Sequence, residues 1–225
     1  MANTLEGVAG TIRSSFYLYY YTFVAELTDA QIAIWIAAVP IIGLTFRTAM
    51  AVVWGRVFSS KKHTPRMYTV AGRVLDAISH MIIFGTTTSI EGFLCGIIMH
   101  MILFSPRSFW SMSARGWIID EDAHAMAGRR RESLFTGVSS AVAKLSAPVA
   151  AAIIAGQAIA GIDTTQPRSF QQPQSGVWYI RSIYIFVCPA FDLAQAYAIY
   201  HFPIRGERLC TLEKAQATSF KALLA

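Results

Sequence analysis

The stretch from Trp117 to Gly137, WIIDEDAHAMAGRRRESLFTG, sets the acids Asp120, Glu121 and Asp122 against Arg129, Arg130 and Arg131, with Glu132 following. Carboxylates and guanidinia at this density can form ion pairs, and breaking one that is withdrawn from water costs about 3–5 kcal/mol. Other ionisable residues sit inside apolar runs. Arg73, Asp76 and His80 fall at i, i+3 and i+7, one face of a helix, where the economical reading is an internal Arg–Asp pair. Arg107, Ser111 and Arg115 make a second stripe, with Arg115 placed to pair with Asp120 or Asp122. Arg107 and Arg47 have no evident partner along the chain, and a bound anionic lipid or a partner subunit is the expected source of counter-charge. Lys144 stands in SSAVAKLSAPVAAA one turn after Ser140, with Gly137, Ala141 and Ala147 allowing another helix to approach closely. Its structural alternatives are snorkelling or a pair with an acid such as Asp192.

This is chemistry of charge rather than of covalent catalysis. The chain has no phosphate-binding glycine loop and no nucleophile motif, so no enzyme activity and no cofactor are expected. His80 and His100 have no second ligand at metal spacing, and no metal site is expected. Cys95, Cys188 and Cys210 are scattered and read as free thiols.

The elements that carry these residues must be membrane helices. Of 225 residues, 54% are hydrophobic and only 14% charged, with a mean hydropathy of +0.44; soluble domains have about a quarter of their residues charged. The apolar residues come in blocks of the length that crosses a bilayer. The expected fold is therefore an all-α integral membrane domain over 1–225, with six transmembrane helices near 14–28, 31–57, 67–88, 91–118, 133–160 and 176–203 and a basic tail at 204–225. The first span extends back toward Leu5, with Arg13 at its interfacial end. Met1 to Glu6 lacks a basic region before an apolar core, so no secretory signal is expected.

Every second connection is basic. Arg56, Lys61, Lys62 and Arg66 lie between spans two and three, Arg129 to Arg131 between spans four and five, and Arg205, Arg208, Lys214 and Lys221 in the tail. The alternate connections hold only Arg168. Positive residues stay on the inner side, so both termini should face the cytoplasm, or the matrix if the membrane is the mitochondrial inner one. The net charge of +6 thus answers to orientation and to the lipid bilayer, anionic lipids included, and no nucleic-acid partner is expected.

The loop IIDEDAHAMAGRRRESLFTGVSSAVAKLSAP resembles the connection between the tenth and eleventh helices of the glycoside–pentoside–hexuronide:cation symporters, the melibiose-permease branch of the major facilitator superfamily. Asp120, Asp122, Gly128, Arg129, Arg130, Arg131 and Glu132 carry the likeness, with one extra residue before the glycine and Ser133 in place of a glycine. LYYYTFVAEL is similar to that family's tyrosine-rich seventh helix, WGRVFSSKK to the loop after its eighth, and residues 172–209 to its twelfth helix and basic tail. The likeness covers nearly the whole chain but only the C-terminal six helices of a twelve-helix carrier. It implies that the acid and arginine clusters are an inner-face gate, that Trp54, Gly55 and Arg56 belong to it, that Lys144 couples cation and sugar sites, and that Ser139 and Ser140 face sugar. Ser59 stands where the family places an aspartate, which weakens that latch. The family's cation-binding carboxylates lie in the other half, so no cation site carries over.

Two functions follow. One is a transporter-derived structural or accessory subunit of a larger membrane complex, with other membrane subunits satisfying the lone arginines. The other is a half-size sugar or related solute:cation symporter that pairs with a second six-helix half. The missing gate acid, the missing half and the unpartnered arginines make the accessory subunit the expected function; Lys144 and the Asp/Arg loop keep the symporter as the alternative.

Overall fold

The computed structural model describes residues 2–59, 65–86, 88–125, 131–163, 172–204, 207–211 and 214, and among these the regular structure is entirely helical. α1 (Ala2–Tyr19) continues through a π-helical turn, Tyr20–Val24. The first helix therefore begins well before the tyrosine run, and Arg13 lies at its middle, buried, instead of at an interfacial end. α2 (Asp29–Ser59) opens on a reciprocal cap: the Thr28 N–H and hydroxyl both donate to Gln31 Oε1 at 2.9 Å, and the Gln31 N–H reaches back to Thr28 Oγ1. α3 (Pro65–Thr86) starts on a proline, whose missing N–H costs nothing at a first turn.

Prolines also divide the later spans. α4 (Ile90–Phe104), capped by Ser89, gives way at Ser105 to α5 (Pro106–Ala125), because Pro106 has no N–H to continue the ladder. α6 (Glu132–Lys144) turns at Leu145 into α7 (Ser146–Ile159), with Pro148 in its first turn. α8 (Gln174–Ser182) passes through a π-helical turn, Ile183–Val187, just ahead of Pro189 and into α9 (Cys188–Tyr200).

Four stretches are long and apolar enough to cross a membrane: Asp29–Ser59, Ile90–Ala123, Glu132–Ile159 and Gln174–Tyr200. The protein is an integral membrane protein. The expected first and third spans fall short of that standard, and the reason is charge. α1 carries Glu6 and Arg13, and α3 carries Arg66, Arg73 and Asp76. Yet the 22 residues of α3 rise about 33 Å, enough for a hydrocarbon core of about 30 Å. Both helices lie inside the bundle, α3 against α4, α5 and α9, and α1 against α7 and α9. What lowers their hydropathy is what this interior contains.

An aromatic cluster fills one end of the core. Tyr20 stacks on Phe93 at 4.7 Å, Phe84 stacks on Tyr184 at 4.8 Å, and Tyr21 meets Phe93 edge-on at 5.0 Å. A Cβ at Gly96 would come within 2.9 Å of the Phe84 ring, and one at Gly72 would run into the Leu103 carbonyl, so these glycines let α3 and α4 approach backbone to side chain and backbone to backbone. The outer helices differ sharply in burial. Half of the Gln174–Tyr200 span is buried, against 11% of Asp29–Ser59 and 12% of Glu132–Ile159.

Candidate functional site

Six ionisable side chains from four helices meet in the interior. α3 presents Arg73, Asp76 and His80 on one stripe, all 1% exposed or less. α9 brings Asp192, α1 brings Arg13 and α4 brings His100. Arg73 Nη1 donates to Asp192 Oδ1 at 2.9 Å and to Asp76 Oδ2 at 3.3 Å. Arg13 Nη2 donates to Asp192 Oδ2 at 3.0 Å, while its Nη1 lies 3.0 Å from His100 Nε2. His100 Nδ1 closes the circuit 2.7 Å from Asp76 Oδ2. Two guanidinia balance two carboxylates, so the cluster is neutral if both imidazoles are neutral.

The contacts fix the proton positions on those rings. A carboxylate oxygen only accepts, so His100 Nδ1 carries its hydrogen; Arg13 only donates, so Nε2 must be the bare nitrogen. His80 Nδ1 lies 2.9 Å from the Asp76 backbone carbonyl, another pure acceptor, and 3.2 Å from Asp76 Oδ1. It too carries its hydrogen on Nδ1.

Asp76, His80 and His100 bring potential ligand atoms within 4.8 Å of one another, which overturns the expectation that these histidines have no ligand partner. The group still does not suit a metal. Both Nδ1 atoms are donors to Asp76, and the two carboxylates are already neutralised by arginine. A divalent ion here would leave about two uncompensated charges inside the bundle, where charge is expensive.

Aromatic rings flank the cluster on two sides. Phe104 covers one side, with the Arg73 guanidinium 4.0 Å from its ring centre. On the other side Phe84 packs 5.3 Å from the His80 ring and leads into the aromatic cluster. Tyr184 donates its hydroxyl to the Arg13 backbone carbonyl at 3.0 Å. Satisfaction is incomplete: Arg73 Nε and Nη2 and Arg13 Nε are buried without a hydrogen-bond partner, and Asp76 Oδ1 receives no well-aligned bond.

The structure redistributes the expected residues. The Arg73–Asp76 pair is present. Asp192 pairs with Arg13 and Arg73 and is not the partner of Lys144, which is exposed. Arg107 pairs with Glu6 of α1 and lies 5.3 Å from the Phe104 ring centre, so its counter-charge comes from within the chain rather than from lipid or a subunit. Asp122 takes Arg131 rather than Arg115, and Glu121 takes Arg208. The hydrogen bonds that Arg131 donates to the Asp122 carboxylate raise it above the ordinary arginine range. Gly128, Arg129 and Arg130 lie outside the described residues, as do Lys61 and Lys62. Trp54 stacks on Phe58 at 5.3 Å and Gly55 lies beside Phe109, while Arg56, Arg115, Ser140 and Glu132 are exposed and Ser139 and Asp120 half-buried. Arg47 is exposed on α2, within electrostatic reach of Tyr17, and makes no ion pair among the described residues.

Sequence reasoning missed Arg13 as a core residue and left His100 without a role. The available signal was the same for both: a lone polar residue in an apolar run, MHMILF for His100 and TIRSSF for Arg13.

A bundle of apolar helices around an enclosed charge network is the architecture of an integral membrane protein. Residues 3–206 match the family described as MFS/sugar transport protein, and the chain belongs to that family. No curated protein and no solved structure matches it.

Proposed function

We propose that the chain forms one six-helix half, of the C-terminal type, of a solute:cation carrier, and that it acts against a second six-helix body. α1 with its π-helical turn and α3 then count as the first and third of six spans, and the melibiose-permease branch is the reading's origin. The observation that carries it is the pair of exposed cations Arg47 and Lys144 on the two least buried spans. A charge in the bilayer interior costs about 2.5–3.5 kcal/mol on insertion scales, so faces that carry one are suited to a watery cavity or a partner rather than to lipid. Carriers of this kind hold solute between two halves near the midplane, where Lys144, Ser139 and Ser140 would meet it. The Asp122–Arg131 pair joins the end of α5 to the start of α6 as part of an inner-face latch. Basic residues at the span ends suit anionic lipid, with both termini inside, in the mitochondrial inner membrane or another.

The accessory-subunit reading keeps one specific observation. Ser59, at the position expected to hold a gate acid, donates its hydroxyl to the Arg56 carbonyl at 2.7 Å and so serves only its own helix end. Of the two lone arginines that also favoured it, Arg107 pairs with Glu6 and no longer counts. The test is uptake by liposomes reconstituted with the protein and whatever copurifies with it in mild detergent. Cation-driven sugar uptake that disappears in Lys144→Ala supports the carrier; constant co-migration with a large complex and no uptake supports the accessory subunit.

A further inference from the structure

Among the imidazole nitrogens in the buried cluster, one has no hydrogen-bond partner among the described residues. Arg13 and Arg73 are permanently charged. Asp76 and Asp192 are paired with those guanidinia. His100 uses both nitrogens, and a proton on Nε2 would set two donors head-on with Arg13. Both contacts of His80 use Nδ1, and its Nε2 has no hydrogen-bond partner among the described residues. We propose that His80 is a proton-binding site inside the bundle, taking one proton on Nε2 while Nδ1–H stays on Asp76.

The charged and titratable groups around it come from every packed element: Arg73 and Asp76 on α3 itself, His100 on α4, Arg107 on α5 beyond the Phe104 ring and paired with Glu6, Asp192 and Cys188 on α9, Tyr184 on the π-helical turn, and Arg13 and Tyr17 on α1, with Arg47 of α2 near Tyr17. Proton uptake changes the cluster from neutral to a single positive charge. The imidazolium turns its Nδ1–H toward Asp76 Oδ1, 3.2 Å away and otherwise short of an aligned donor. Asp76 then has a second cation, and its contact with Arg73, at 3.3 Å the longest in the circuit, is the one that yields. Arg73 is left to Asp192. A proton on α3 thereby alters the joint between α3 and α9. Binding of the proton stands apart from the carrier reading; only its role as the coupling ion rests on that reading.

The measurement is nitrogen-15 NMR of the full chain, histidine-labelled, in lipid nanodiscs, titrated between about pH 8 and about pH 5, the range in which histidine normally changes charge. The variant H63Q/H124Q/H201Q leaves the two cluster histidines as the only signals, and H80Q and H100Q assign them. The expected result is one ring passing to imidazolium, absent in H80Q, while the other keeps the neutral Nδ1–H form. Should H80Q not fold, assignment by H100Q alone suffices. Both rings staying neutral to the acid end, or His100 taking the proton, overturns the proposal. In liposomes, H80Q that still transports but no longer responds to a pH gradient makes the proton the coupling ion; unchanged pH dependence removes that role and leaves the NMR result standing.

Discussion

Asp192 is the residue on which the buried cluster turns, because it alone answers to two arginines from two helices. Asp192→Asn leaves two guanidinia to share Asp76, and the loss should be about 3–5 kcal/mol, read as a lower thermal unfolding midpoint in detergent. Adding Arg13→Met to that variant should recover part of it, since the remaining Arg73–Asp76 pair is again balanced; an Asp192→Asn protein as stable as its parent would show that the circuit contributes little. How much of this was legible follows from geometry. Arg73, Asp76 and His80 share one helix, so spacing alone put them on one face. Arg13 meets His100 and Asp192 across 87 and 179 residues of chain, and no local period reports such a meeting. Lys144 was offered Asp192 as a partner for the same reason: charge sign can be read along a sequence, whereas which two helices touch cannot.

Among the elements, hydropathy marks four stretches as able to cross a membrane and passes over α1 and α3, which lie inside the bundle. α1 and α3 read as weak spans because their polar residues are satisfied by neighbours rather than by lipid or water. Their contact with the rest depends on close approach at a few glycines. Gly72→Ala would push a methyl group into the Leu103 carbonyl and should destabilise by about 1–3 kcal/mol. Gly10→Ala on α1 meets nothing within 4 Å and should stay within about 0.5 kcal/mol of the parent; equal melting of the two variants would argue against the tight α3–α4 crossing. The latch behaves differently. Asp122 and Arg131 are half-buried and still within reach of solvent, and Arg131 stays charged across the physiological range, so salt rather than pH is its lever. Arg131→Gln should leave the melting temperature unchanged and alter the salt dependence of uptake, a combination that a purely structural turn would not give.

At the level of the whole molecule, the bundle pairs the charges of its interior and leaves two cations exposed on its outer spans. Arg107 finds Glu6, and Asp192 finds two arginines, but Arg47 and Lys144 stand exposed on spans that are barely buried. The family membership and the all-helical bundle were readable from composition and from the Asp/Arg loop. The burial pattern that makes α2 and α6–α7 the open faces was not, since both sequences look like any lipid-facing helix apart from a single cation. The most direct test places a photo-crosslinking benzoylphenylalanine at position 47 or 144 in the protein within its own membrane. A second six-helix body over these faces predicts a covalent adduct with polypeptide at both positions. Adducts with lipid alone at both would contradict it.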